Sequence, residues 1–423
     1  MRPSIALTKI RWNGLETANF WLLCFIAVSP SLGTALAALG RLVLLLSALV
    51  AILLSIQRNK SSYAWLVHKP VTLTVLFACI FYATSTLWTL TDAVSAWWAW
   101  SKYARILTIP LIYYLIPNPS HGLIILRVFI LSQVFVGLSS WLLIIRIHPA
   151  WISSVNSDHS LASFGTYLEE SIAQAAIAGI LWFKRDDILG SRGKAFAVAL
   201  AGSSAILTLF FLQGRTGYIA MLGIFALASL QLLPKKLRLL TILVPILSVA
   251  VLFSTSTGFH NRSVTVYQEV IGFYESKNIS TSGGTRLQFW AIALKGITAH
   301  PFTGVGAGGW KNEYQYQTEL LDSDTLDPNH GADDPHQLFL LWGVEGGILG
   351  LSLLIVNLIM IIKHSCYLTK PDSWALGAFV LTLALASMFN SVLHGIGLGD
   401  FFCVGIGILL SLTNTDCEDK KQF

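Results

Sequence analysis

Arg215, Arg286 and His336 are the residues whose types and placement can do chemistry together. Arg215 sits in the short turn Gln213-Gly214-Arg215-Thr216-Gly217 between two apolar runs. A guanidinium fork binds phosphate oxygens bidentately, and glycines flank it on a turn too short to be a flexible tether. The plainer reading is a loop arginine snorkelling to lipid headgroups. Arg286 follows Gly283-Gly284 where a helix is expected to open, four residues before Trp290. A cation at a helix start is mildly unfavourable with the helix dipole, which tilts the choice slightly from a solvated end charge toward a specific anion partner. His336 follows Asp333-Asp334-Pro335, read as an acidic cap and an N1 proline opening a long apolar helix. The dipole there helps keep an imidazole neutral and able to accept a proton. The neighbouring aspartates push the other way and can orient the ring. An interfacial histidine with no role is the bland alternative.

The elements that must position these groups follow from composition. The 423 residues are 54% hydrophobic and only 12% charged, about half the charge fraction of a soluble domain. Apolar runs of roughly 20 residues, each long enough to cross a bilayer, recur along the whole chain. Twelve helices are expected, near 15–33, 35–56, 70–88, 102–116, 121–145, 167–183, 195–212, 217–233, 239–255, 336–362, 374–393 and 397–413. The first resembles a signal peptide, but a second span follows almost at once, so it reads as a retained helix. The fold class is therefore an all-α polytopic membrane protein of about 12 transmembrane helices.

Lysine and arginine counts orient it. With the N-terminus inside, seventeen fall on the cytoplasmic side, among them Arg58, Lys60, Lys69, Lys184, Arg185, Arg192, Lys194, Lys235, Lys236 and Arg238. The short outer loops hold three, Lys102, Arg146 and Arg215. Both termini are then cytoplasmic, and the net charge of +6 reflects topology and contact with membrane lipids. No basic patch with interleaved aromatics is present, so no nucleic acid is expected. The five cysteines lie in expected helices or cytoplasmic segments and give neither a disulfide framework nor a CxxC metal pattern.

Three segments result: 1–255 with nine helices, a large outer loop over 256–335, and 336–423 with three helices and a short tail. Loops this long are functional or disordered. The apolar period from Leu287 to Ile297, with Ser282 as a candidate cap and Pro301 as a stop, argues for an ordered helix. In Gly304-Val-Gly306-Ala-Gly308-Gly309 the backbone can approach a ligand or another helix closely. It is no dinucleotide fingerprint, because no βαβ context exists. The loop carries nine acidic and five basic residues, so bulk charge cannot attract an anion and positioned cations must do so. The acidic stretch from Asp322 through Asp327 and His330 to Asp334 has oxygen and imidazole donors but no recognised cation-loop spacing; no metal or cofactor is expected. Charges inside spans are costly and often functional. Arg41 and Arg105, with Lys102 beside it, are candidates for an outer-face anion site, with snorkelling the alternative for the latter two. Arg127, deeper, and Asp400 and His394 are weaker candidates.

Gly284-Thr-Arg286-x3-Trp290, His300-Pro301 and Gly304-x-Gly306-x-Gly308 resemble the signature of the O-antigen ligase and polymerase superfamily. His336-Gln337, then Gly347-x-x-Gly350, is similar to the ligase histidine motif, and Gln213-Gly214-Arg215 to the family's earlier arginine turn. The resemblance implies a GT-C-like glycosyltransferase at the periplasmic face of the bacterial inner membrane. Its donor would be undecaprenyl-pyrophosphate-linked O-antigen and its acceptor the lipid A-core, with no metal and no nucleotide sugar. Arg215 and Arg286 would hold the pyrophosphate, His336 would activate the acceptor hydroxyl, and Arg41, Arg105 and Lys102 could extend the clamp. An O-antigen polymerase and a protein O-oligosaccharyltransferase use the same donor and remain alternatives. A lipid or polysaccharide transporter is the rival from another class. It would show charges through the bundle and a repeat between halves, and no convincing repeat is visible.

Overall fold

The computed structural model describes residues 14–57, 69–116, 118–152, 161–276, 280–320 and 333–413. Helices fall at each of the twelve expected positions. They are α1 (Gly14–Val28), α2 (Thr34–Gln57), α3 (Pro70–Ser85), α4 (Ala93–Tyr103) with α5 (Thr108–Leu115), and α6 (Pro119–Ile144). Then come α7 (Tyr167–Phe183), α8 (Lys194–Ile206), α9 (Arg215–Leu232) and α10 (Leu243–Thr255). The large loop holds α11 (Thr257–Ser276), α12 (Ser282–Ala299) and α13 (Trp310–Leu320); α14 (Leu338–His364), α15 (Lys370–Ser387) and α16 (Ile396–Leu410) follow. Among the described residues there is no strand. Six helical stretches are long and apolar enough to cross a membrane, and three apolar helices are shorter. Leu42, Leu46, Leu49 and Leu53 of α2 and Ile246 and Leu247 of α10 are exposed. Such continuous apolar faces suit lipid and not water.

The loop has a small core of its own. Phe289, Ile292 and Ala293 of α12 pack with Val305, Trp310 and Tyr314, and against Leu341 and Val344 of α14. The chain between α12 and α13 closes this core by docking on a break in α14. Gly347 has φ +59 inside the helix, which frees backbone groups that must find partners elsewhere. The loop supplies them reciprocally. Val305 and Gly306 donate their N–H groups to the carbonyls of Val344 and Glu345, and Ile348 and Leu349 donate to Pro301 and Phe302. The buried Glu345 carboxylate accepts from the Tyr103 hydroxyl at 2.7 Å and from the Gly308 and Trp310 N–H groups at 2.9 and 3.3 Å. The glycine-rich segment is thus a helix-docking device: of its two readings, the second holds, and the break that receives it was not anticipated.

Gly306 shows how tight the seat is. Its φ is +84, and a Cβ there would lie 2.6 Å from the Ser85 carbonyl oxygen and 2.7 Å from Thr89 Cα. Left-handed backbone costs a side-chain-bearing residue about 1–2 kcal/mol, and forcing atoms into a packed seat costs about 1–3 kcal/mol. Gly306→Ala should therefore destabilise the protein by about 2–5 kcal/mol, read as a lowered thermal midpoint in detergent. An unchanged midpoint would mean that the segment is not docked.

Two details differ from expectation. The loop helix starts at Ser282, capped by Thr281 accepting from Gly284 N–H, so Ser282 is its first residue and Arg286 lies in its second turn. The long helix after the loop starts at Leu338, capped by the Gln337 side chain. Pro335 and His336 therefore precede it, because an amide cap three residues nearer the apolar run does what the acidic cap was expected to do.

Candidate active site

The arginine turn is held by packing. Gly214 caps α9 and Arg215 is its first residue. A Cβ on Gly214 or Gly217 would lie 2.1 or 2.5 Å from the Ser171 side chain of α7, so the flanking glycines let the turn sit against that helix. Just before it, α8 widens into a π-helical turn, Leu207–Phe211, and Gln213 takes φ +48. Left-handed backbone at a non-glycine residue, like π turns, gathers at functional sites.

The Arg215 fork is engaged bidentately by Glu269 of α11, at 2.8 Å from Nη1 and 3.3 Å from Nη2. Glu269 is buried and packs against Gly283, whose added Cβ would meet its Oε2 at 2.6 Å. One carboxylate thus ties the arginine turn to the start of α12, which carries Arg286. Arg286 is half-buried, and among the described residues no ion pair or hydrogen bond engages it. Burial first, then the neighbouring Arg215 charge, pull its pKa below the ordinary arginine value, against Tyr167, Glu269 and Asp334. Two guanidiniums close enough to repel, of which only Arg215 is paired with a carboxylate, form a site suited to an added anion.

His336 lies beside this pair through Asp334. It has φ +51, and its backbone N–H donates to Asp334 Oδ1 at 2.6 Å. Its ring Nδ1 stands 3.4 Å from the same oxygen, and the ring packs near Phe289, 6.1 Å between centroids. Asp334 is fixed in turn by the Ser391 hydroxyl, which donates to Oδ1 at 2.7 Å. The adjacent Asn390 amide donates to Thr216 Oγ1 at 2.9 Å, beside Arg215. The turn between α15 and α16 therefore braces both the histidine and the arginine turn.

The other sequence candidates form a second group. Arg105 is 2% exposed, its Nε 3.2 Å from Asp400 Oδ1, while its Nη1 donates to the Leu393 and Gly395 carbonyls. Arg41 Nη1 stands 3.7 Å from the same Asp400 oxygen. These contacts serve to hold α2, the α4–α5 junction and α16 together. Lys102, half-buried in the last turn of α4, lies within electrostatic reach of Glu345 and His394. His394 packs edge-on against Tyr103 at 4.5 Å; burial, helped by Lys102 and Arg105, holds its pKa well below 6.5. Arg127 donates to the Ile188 carbonyl.

Asp322, Asp324, Asp327 and His330 lie outside the described residues, and among the described ones no three His, Cys, Asp or Glu side chains are grouped to hold a metal ion. The four described cysteines are free. Glu269, Asn390 and Ser391 were not singled out in the sequence. A polar Asn-Ser pair between two apolar runs was a usable signal for the latter two; Glu269, one acid among nine in its loop, had none.

No curated protein matches the chain. Residues 196–355, from α8 through the loop to the middle of α14, match the family described as O-antigen ligase. That stretch contains the arginine turn, Glu269, Arg286, Asp334 and His336, and over it the chain is similar to the O-antigen ligase family.

Proposed function

We propose that the chain joins O-antigen polysaccharide, carried on undecaprenyl pyrophosphate, to the lipid A-core at the periplasmic face of the inner membrane. The observation that carries this reading is the grouping of two neighbouring guanidiniums with a carboxylate-oriented imidazole. The acceptor hydroxyl attacks the anomeric carbon, the carbon–oxygen bond to pyrophosphate breaks, and its electron pair leaves on the phosphate oxygen. Arg215 and Arg286 stabilise that developing charge. The hydroxyl proton passes to His336. Asp334 Oδ1, 3.4 Å from Nδ1, favours a proton on that nitrogen, which leaves the lone pair on Nε2 to act as base. Direct displacement inverts the anomeric centre, and the residues named need no metal.

The match to the O-antigen ligase family supports a lipid-linked saccharide as substrate class; the single dominant loop and the histidine motif favour lipid A-core as the acceptor over a second lipid-linked chain. The test is purified protein with lipid-linked O-antigen and lipid A-core, scored for joined lipopolysaccharide with and without chelator. The expected product forms at equal rates in both. Extension of the lipid-linked chain alone would make the protein a polymerase, and lipid translocation without transfer would make it a transporter.

A further inference from the structure

A polar cleft of about 570 Å³ opens beside the arginine turn, between the π turn ending α8 and the first half of α11. Its volume lies in the range of small-molecule binding sites, roughly 300–1,000 Å³. Phe210 and Phe211 form one side; Gln213, Asn261, Arg262 and Thr265 present amide, guanidinium and hydroxyl groups. Among the described residues, the side chains of Gln213, Asn261 and Arg262 donate no hydrogen bond and form no ion pair. Gln213, two residues from Arg215, holds the left-handed backbone described above, so strain and an unengaged amide coincide at the junction of clamp and cleft.

Resting on the proposed ligase reading, the geometry points to this cleft as a binding subsite for the donor's sugar chain beyond the sugar whose anomeric carbon is attacked. Aromatic faces attract the slightly positive C–H edges of a sugar ring. Amides and a guanidinium bind hydroxyls in pairs, and Arg262 also suits a sugar carboxylate. A pyrophosphate is a poorer fit, since the cleft offers one cation, Arg262. Chain length then becomes a specificity determinant: donors with several sugars gain contacts that a single-sugar donor cannot make.

Thr265→Trp fills the cleft and Arg262→Gln removes its cation; neither touches the residues placed at the reacting atoms. Transfer to lipid A-core is measured with two synthetic undecaprenyl-pyrophosphate donors, one bearing a single sugar and one bearing several repeat units. KM for the long donor should rise about tenfold in Thr265→Trp, with kcat and the single-sugar donor changed less than twofold. Arg262→Gln should give a smaller rise with the same selectivity. Equal effects on both donors, or none on either, overturn the proposal. A second arm titrates the protein with O-antigen polysaccharide cleaved by mild acid from the same cells' lipopolysaccharide. Binding that Thr265→Trp weakens supports the subsite, and binding that is absent or unaffected refutes it. Should wild-type protein transfer neither donor, the ligase reading falls while this arm still decides the cleft.

Discussion

His336→Ala is expected to lower kcat for sugar transfer about 10²–10⁴-fold, the usual contribution of a positioned general base, with KM for both lipids nearly unchanged. The expectation rests on where the ring is held. Asp334 Oδ1 stands 3.4 Å from Nδ1 and also accepts the histidine's own N–H, so one carboxylate fixes backbone and ring together. The side chain is 44% exposed, which leaves Nε2 open to a hydroxyl. A left-handed residue just ahead of a helix is costly and is retained because Asp334, Ser391 and the Gln337 cap over-determine the turn. Asp334→Asn should then reproduce part of the loss, because an amide can present its NH₂ group to Nδ1 and favour the wrong tautomer. Ser391→Ala should cost less, since it loosens Asp334 without removing it. Near-normal kcat in His336→Ala, with the protein folded, would remove the histidine from the chemistry.

Much of the fold was legible because a bilayer leaves few choices. Backbone polar groups in hydrocarbon must be satisfied within helices, so long apolar runs such as Thr34–Leu54 and Pro119–Ile144 announce themselves. Arg215, Arg286 and His336 stood out as candidates through charge against an apolar background and through motif spacing. The partners did not. Glu269 meets Arg215 across 54 residues, and Ser391 meets Asp334 across 57; tertiary packing decides such pairings, and no local period records them. The Gly347 break was hidden for a related reason. Glycine in a helix is ordinarily tolerated at a cost of about 1 kcal/mol, and only the loop backbone seated against it turns it into a junction. The same limit split the arginines. By type and depth Arg41 and Arg105 resembled clamp members, yet Asp400 draws them into a separate group, and Arg105 is closed off by two backbone carbonyls.

Arg286→Ala is the second large expected effect, about 10²–10³-fold in kcat. Arg286 is the guanidinium of the pair that no described carboxylate engages, so on the proposed reading it would meet an incoming pyrophosphate without first giving up a partner. Arg215 must exchange its two bonds to Glu269 for bonds to the substrate, or share them. Charge on the leaving pyrophosphate grows along the reaction, so both arginines gain most in the transition state, and the loss should fall on kcat more than on KM. Arg286→Lys should recover only part of it, because a point charge cannot reproduce a planar fork. The double variant Arg215→Ala/Arg286→Ala should be less impaired than the product of the single losses, as two residues serving one group are not additive. Inorganic pyrophosphate should inhibit the wild type competitively with the donor and inhibit Arg286→Ala much less. If Arg286→Ala instead raises the donor KM and leaves kcat intact, the residue binds substrate and transition state equally. The leaving-group stabilisation would then have to come from another cation.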